Sequence, residues 1–198
     1  MLDQLASCGY VVLPDEHNPL LEQTLLQALY QDISCHYQAN ALEEAKVGQA
    51  RQRVESIRAD EIAWLEGKAI CQQQFLQVAE GWMAEFNRSL FLGLNAMEFH
   101  YARYPEGGGY ALHWDNFQGN NQRILTFITY LNPDWQPGDG GELLLYADDE
   151  QQLLASVAPR WGTTVFFLSS DFPHQVLPAV KPRRSLTGWF RRNHPLDW

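Results

Sequence analysis

Near Met97 the texture of the chain changes. From there to about residue 192, short segments rich in β-branched and aromatic residues follow one another: MEFHYARY, QRILTFITYLN, GELLLY, TTVFFL, HQVLP and SLTGWF. Stretches dense in Gly, Pro and Asp separate them: PEGGG, NPDWQPGDGG, APRWG and AVKPR. Extended segments this short cannot bury both faces alone, so they must assemble into sheets. Seven or eight strands in roughly 95 residues predict a sandwich, barrel or jelly roll.

The first ninety or so residues read differently, as mainly helical. Asn18 before Pro19 predicts a helix N-cap and first helical position, followed by leucines at helical spacing in LLEQTLLQALYQDI. A second helix carries one apolar stripe through Ile70, Phe75, Val78, Ala79, Trp82, Met83, Phe86 and Leu90. Between them, NALEEAKVGQARQRVES reads as an exposed loop, and IRADEIAWLEG as a short strand and turn. No repeat or Pro/Ser linker divides the chain. The expectation is one domain over 1–198, with 1–95 as helical support and 96–192 as the β core.

Charge narrows the partners. The chain has 14 Lys+Arg against 24 Asp+Glu, a formal net charge of −10. That field repels phosphate, which argues against duplex nucleic acid or an anionic membrane as partner. Three cysteines (Cys8, Cys35 and Cys71) form no CxxC and leave an odd thiol, which fits a reducing compartment. No apolar run is long enough for a membrane helix and no leader is evident, so the expected location is cytoplasmic. Oligomeric state stays open.

Six histidines allow few metal sites. His113 and Asp115 form H-x-D, and on a strand residues two apart share a face. Alone the motif is weak, because it also describes a hydrogen-bonded histidine at a strand end. His174, at the start of a later strand, completes two histidines and one carboxylate. This donor set suits a non-haem Fe(II) centre with open positions, though a zinc site uses the same ligands. Arg183, nine residues on in R-R-S, chooses between them. A planar guanidinium is the natural clamp for a carboxylate held bidentately, as a 2-oxoacid cosubstrate requires. Ser185 would face the same way. His100 reads as a strand histidine and His194 as a solvated one.

These motifs stand in a telling order: Tyr104-Pro, H-x-D, R-x-L-T…Y-L-N, G-G-E-L, H-x-V-x-P, R-x-S-x-T-G-W. The series resembles the 2-oxoglutarate- and Fe(II)-dependent dioxygenases, and more narrowly the prolyl 4-hydroxylases related to those acting on hypoxia-inducible factor, with their bacterial relatives. The likeness covers about residues 46 to 192. IRADEIAWLEG at 57–67 is similar to a stretch of that subgroup that the metal site does not require. The resemblance implies a mainly β fold with N-terminal helices, a double-stranded β-helix (a cupin-like jelly roll) buttressed by those helices. It implies Fe(II) on His113, Asp115 and His174, and 2-oxoglutarate on Arg183 with Tyr130, Tyr104, Thr187 and Ser185. Arg58, Asp60, Trp64 and Trp189 would face substrate, with Arg123 as ionic partner of Asp60. A loop at about 46–56 would be mobile over the substrate.

Three positions depart from the family pattern. Trp114 stands between two ligands where a smaller apolar residue is expected, Ala59 replaces a glycine, and Ser185 follows the wider R-x-S pattern. The implied activity is hydroxylation of a prolyl residue in a protein substrate, a translation elongation factor being the first choice, with dioxygen as second cosubstrate and ascorbate as reductant. The same centre could act on a free amino acid or small metabolite. A jelly-roll sensor that binds 2-oxoglutarate without turnover, and a zinc hydrolase, are the rivals.

Overall fold

The computed structural model describes residues 1–14, 18–39, 41–45, 58–116 and 122–193. The order is α1 (Leu2–Cys8), β1 (Tyr10–Leu13), α2 (Gln23–Gln38), β2 (Glu43–Glu44), β3 (Glu61–Trp64), α3 (Ile70–Leu90), β4 (Ala96–Tyr104), β5 (Tyr110–His113), β6 (Arg123–Tyr130), β7 (Leu143–Tyr146), β8 (Leu153–Val157), β9 (Thr164–Leu168), β10 (His174–Val176) and β11 (Arg183–Arg191). A seven-stranded sheet runs β1-β9-β6-β11-β4-β3-β2, and a four-stranded sheet runs β5-β10-β7-β8, with antiparallel pairing throughout. This is the expected double-stranded β-helix with helices against one side. The expected loop at about 46–56 lies outside the described residues, as does His194.

Strand periodicity splits the large sheet into two faces. Phe99, Tyr101, Phe127, Phe166 and Phe190 turn outward and meet the helices. Ala102, Tyr104, Ile128, Tyr130, Val165 and Phe167 turn inward, where they meet Leu143, Leu145 and Val176 of the small sheet. On α3, Phe75, Ala79, Trp82 and Phe86 recur every three or four residues and are buried. Their rings meet the sheet edge-on: Phe75–Phe99 at 5.0 Å, Trp82–Phe166 at 5.7 Å and Phe86–Phe190 at 5.6 Å between centroids. Each such pair adds about 0.5–1.5 kcal/mol to the gain from burial. Ile70, placed on this stripe from spacing, is exposed because the helix only begins there.

Two expectations for the N-terminal part need correction. Asn18 does not cap α2, which starts at Gln23 with Glu22 as its extended N-cap. The Asn18 amide instead donates to the Gly162 carbonyl and the Thr164 hydroxyl, both at 2.7 Å, tying the chain to the base of β9. The part is also less purely helical than its leucines imply. The β-branched stretch Tyr10–Leu13 pairs with β9 and closes one edge of the large sheet, while β2 closes the other.

The centre of the large sheet is β11, paired along its length with both β4 and β6. Opposed residues on the inner face therefore form rows. One row is Glu98–Trp189–Thr126, and the next is Trp64–His100–Thr187–Ile128. Then come Ala102–Ser185–Tyr130 and finally Tyr104–Arg183. The close approach of β4 and α3-side rings to β11 requires glycine at 188. A Cβ there would lie 2.8 Å from the Phe99 Cα and against the Glu98 carbonyl oxygen. Gly188→Ala is expected to cost roughly 3 kcal/mol, read as a fall in urea midpoint, whereas Gly81→Ala, which meets no neighbour within 4 Å, leaves the midpoint unchanged or raised.

Candidate active site

Strands β5 and β10 pair so that His113 and His174 stand opposite one another, their ring centroids 4.2 Å apart. His113 Nδ1 lies 2.7 Å from the Ala111 carbonyl oxygen, and His174 Nδ1 lies 3.0 Å from that of Phe172. A carbonyl can only accept, so both rings carry their proton on Nδ1 and present Nε2 as a bare lone pair. Asp115 sits in the bend after β5, one carboxylate oxygen 3.7 Å from His113 Nε2 and the other 3.6 Å from His174 Nε2. The chain thus brings the carboxylate round by turning after His113, not by the strand alternation the motif suggested. The three donor atoms all lie within 4.8 Å of one another, a spacing that can close on one ion.

The surroundings hold this set in the binding state. The Thr126 hydroxyl donates to Asp115 Oδ2 at 2.9 Å and lies 2.8 Å from the Ser169 hydroxyl, both side chains being fully buried. Burial, with His174 alongside, pushes the His113 pKa down to about 3. Burial alone would raise that of Asp115, but the two histidines outweigh it and bring it down to about 2. Near neutral pH the site therefore offers the neutral His113 imidazole and the Asp115 carboxylate, and with the His174 Nε2 facing them they make a donor set that fits Fe(II) and leaves positions open.

Arg183, the first residue of β11, is 2% exposed. Its Nε donates to the Gly141 carbonyl at 2.9 Å, and its guanidinium carbon lies 4.9 Å from the Tyr130 ring and 5.1 Å from the Tyr104 ring. No carboxylate pairs with it among the described residues. Tyr130 Oη is likewise buried with no hydrogen-bond partner. A buried cation and a buried phenol without acceptors are costly alone and complementary to an anion between them. Arg184, one residue on, turns to the helix side and lies over Tyr30, so the two arginines are not a solvated pair.

The comparisons with known proteins agree with this arrangement. Residues 99–191 match the family described as the 2OG-Fe(II) oxygenase superfamily. A Pseudomonas putida prolyl-4-hydroxylase structure is 36% identical and superposes with a TM-score of 0.86 over 97% of each chain. The chain belongs to the 2OG-Fe(II) oxygenase superfamily, on its prolyl-hydroxylase branch. A Trichoplax adhaerens prolyl hydroxylase, solved with a hypoxia inducible factor peptide fragment, is 26% identical with a TM-score of 0.85, over 96% of this chain and 87% of that one. Egl nine homolog 1 of Homo sapiens is 31% identical over 73% of this chain and 35% of its own length. The chain thus spans about a third of that curated relative.

The structure places the remaining residues named from the sequence as follows. Ser185 and Thr187 share the Arg183 face, and their hydroxyls lie 3.1 Å apart. Arg58 grips Asp60 with two hydrogen bonds of 2.6 and 2.9 Å, and the Asp60 side chain is fully buried, so this is an enclosed clamp rather than a surface pair. Trp64, at the other end of β3, is 46% exposed and meets His100 edge-on. Arg123 does not reach Asp60. It begins β6, where it donates to Glu98 at 2.9 Å and lies flat over Trp189, 3.4 Å from the ring. Strand register puts Glu98 within its reach while Asp60 is already taken by Arg58.

Sequence reasoning passed over three contributors. Tyr110 stacks on His113 at 3.5 Å and lies under the Arg58 guanidinium at 4.9 Å, linking the clamp to the metal ligand. Thr126 on β6 supports Asp115 directly and Ser169, in the turn after β9, supports it through Thr126, and only the R-x-L-T motif hinted at the first. Trp114, between the two ligands, donates to Glu150 at 3.1 Å. Thr126→Val keeps the volume but removes the donor to Asp115. It is expected to weaken Mn(II) or Fe(II) binding about 10- to 100-fold by anaerobic titration, with little change in melting temperature.

The site also predicts a pH effect. Buried His100 has its pKa lowered from 6.5 to about 4, chiefly by burial. The unfolded chain binds that proton below about pH 6.5 and the folded chain resists it until about pH 4. Stability should therefore fall as pH drops through this window, and His100→Met should flatten the fall when urea midpoints at pH 7 and pH 5 are compared.

Proposed function

We propose that this chain hydroxylates a prolyl residue of a protein substrate, using Fe(II), 2-oxoglutarate and dioxygen. The observation that carries the reading is the buried Arg183, with no carboxylate partner among the described residues, together with a two-histidine, one-carboxylate set, since a buried guanidinium is the natural clamp for the distal carboxylate of a 2-oxoacid. His113, Asp115 and His174 would hold the iron. Arg183 takes the distal carboxylate of 2-oxoglutarate, and the Tyr130 hydroxyl donates to the same group. Tyr104, Thr187 and Ser185 line its path. When bound, Fe(II) supplies the coupled conversion of 2-oxoglutarate, dioxygen and a C–H bond into succinate, CO2 and C–OH.

The protein's own work is positional. The carbonyls of Ala111 and Phe172 keep both imidazoles in the metal-binding tautomer, and Thr126 fixes the carboxylate. The apolar inner faces of the two sheets exclude water from the reacting centre. Arg58, Asp60 and Trp64 form the entrance that receives the substrate chain, with Trp189 and Arg123 on its inner side. A prolyl substrate is supported by relatives named as prolyl 4-hydroxylase and prolyl hydroxylase over nearly the whole chain. A loop of a translation elongation factor is the first candidate, with ascorbate keeping the iron reduced in a cytoplasmic setting.

The test is to incubate the full chain with Fe(II), ascorbate, 2-oxoglutarate and a cell lysate, then follow succinate and map added oxygen by mass spectrometry. The expected result is one oxygen atom on prolyl peptides of few proteins, abolished by Asp115→Ala. Label confined to free amino acids or other small molecules, or tight 2-oxoglutarate binding with no succinate under any condition, would overturn the prolyl reading.

A further inference from the structure

One buried titratable group on the inner face has no part in the roles assigned above. His100 is 2% exposed and stands on β4, in the row between Trp64 and Thr187. Its neighbours in that row belong to different jobs. Trp64, on β3, faces the entrance, while Thr187, on β11, lies along the path from Arg183 to the metal set. Arg183 and Tyr130 place the cosubstrate over β11 and β6, and Asp115 touches Thr126 on β6. The β4 column is therefore beside the cosubstrate, on the side where substrate enters.

The ring is held firmly and in one chemical form. Trp64 meets it edge-on at 5.1 Å and Trp189 at 5.6 Å, so it is packed between two indoles. Nδ1 lies 3.0 Å from the Tyr101 carbonyl oxygen, which fixes the proton on that nitrogen. Nε2 is then an acceptor. Among the described residues none donates to it, and it is not one of the fully enclosed polar atoms, which leaves this acceptor for a ligand. A histidine serving only as packing would have both nitrogens satisfied or be replaced by an apolar ring at no loss.

We propose that His100 is a substrate-binding residue, its Nε2 accepting a hydrogen bond from a main-chain amide N–H next to the target proline. Proline itself has no N–H, so a site for prolyl segments must find its main-chain donor in a flanking residue. A neutral imidazole fixed by Tyr101 offers that acceptor without placing a second carboxylate near the metal set. This inference rests on the prolyl reading and adds a residue that sets the substrate's orientation.

Three variants separate hydrogen bonding from packing. A Gln side chain at position 100 can put an acceptor near Nε2, an Asn can mimic only Nδ1, and a Met keeps bulk with no acceptor. The probe is a synthetic peptide carrying the proline labelled in the lysate experiment. His100→Asn and His100→Met are expected to raise its KM about tenfold and to lower hydroxyproline formed per succinate. His100→Gln should largely restore both, and all three should bind Mn(II) and 2-oxoglutarate like the wild type. In unmutated protein loaded with Zn(II) and 2-oxoglutarate, the His100 Nε2 nitrogen resonance should move on peptide addition.

An unmoved resonance, or an unchanged KM and coupling ratio in His100→Met, overturns this inference while leaving the prolyl reading standing. Failure of the wild type to label any protein proline overturns both.

Discussion

Strand β11 is hydrogen-bonded on both sides for most of its length, and the site depends on that pairing. Because β4 and β6 are in register with it, each inward residue of β11 has a fixed neighbour to left and right. Arg183 is thereby set against Tyr104, Ser185 against Tyr130 and Trp189 against Thr126. The outward residues of the same strand, Leu186 and Phe190, are buried against the helices. A slip of one residue would exchange the two sets and turn the arginine to the helix side, where Arg184 now lies over Tyr30 of α2. Gly188, with no room for a side chain, helps to forbid that slip.

Electrostatics of the whole chain and of the pocket point in opposite directions. The protein carries a net charge of −10, yet its most buried arginine has no carboxylate partner among the described residues. Four other buried or half-buried arginines are matched, Arg58 with Asp60, Arg103 with Glu61, and Arg123 and Arg191 with Glu98, while half-buried Arg184 lies over the Tyr30 ring. That contrast is what gives Arg183 its meaning. A dianionic cosubstrate entering an acidic protein needs a local field that the net charge does not reveal, and the fold supplies it at buried Arg183.

Much of this was legible in the chain itself, and the gaps have physical causes. His113, Asp115, His174 and Arg183 were readable because their residue types and spacing serve one chemistry. The strand region was readable from alternation and turn residues, although β5 and β8 were not picked out, being short and partly exposed. Asn18 misled because its side chain answers a tertiary demand from Gly162 and Thr164 that outweighs its local preference for capping. Arg123 was given the wrong acid because choosing between Asp60 and Glu98 needs the sheet register, which is not a local property. Tyr110, Ser169 and His100 become visible only when the rows and the second sheet are in place.

The account turns on Arg183 as the counter-charge for a cosubstrate's distal carboxylate. The direct measurement is calorimetric binding of 2-oxoglutarate and of pyruvate, which has the same 2-oxoacid end but no distal carboxylate, to Mn(II)-loaded wild type and Arg183→Met. Wild type should favour 2-oxoglutarate by about a hundredfold or more, and the variant should bind the two within a few-fold of each other. Equal affinity for both acids in the wild type, or a preference for 2-oxoglutarate that survives in Arg183→Met, would contradict it.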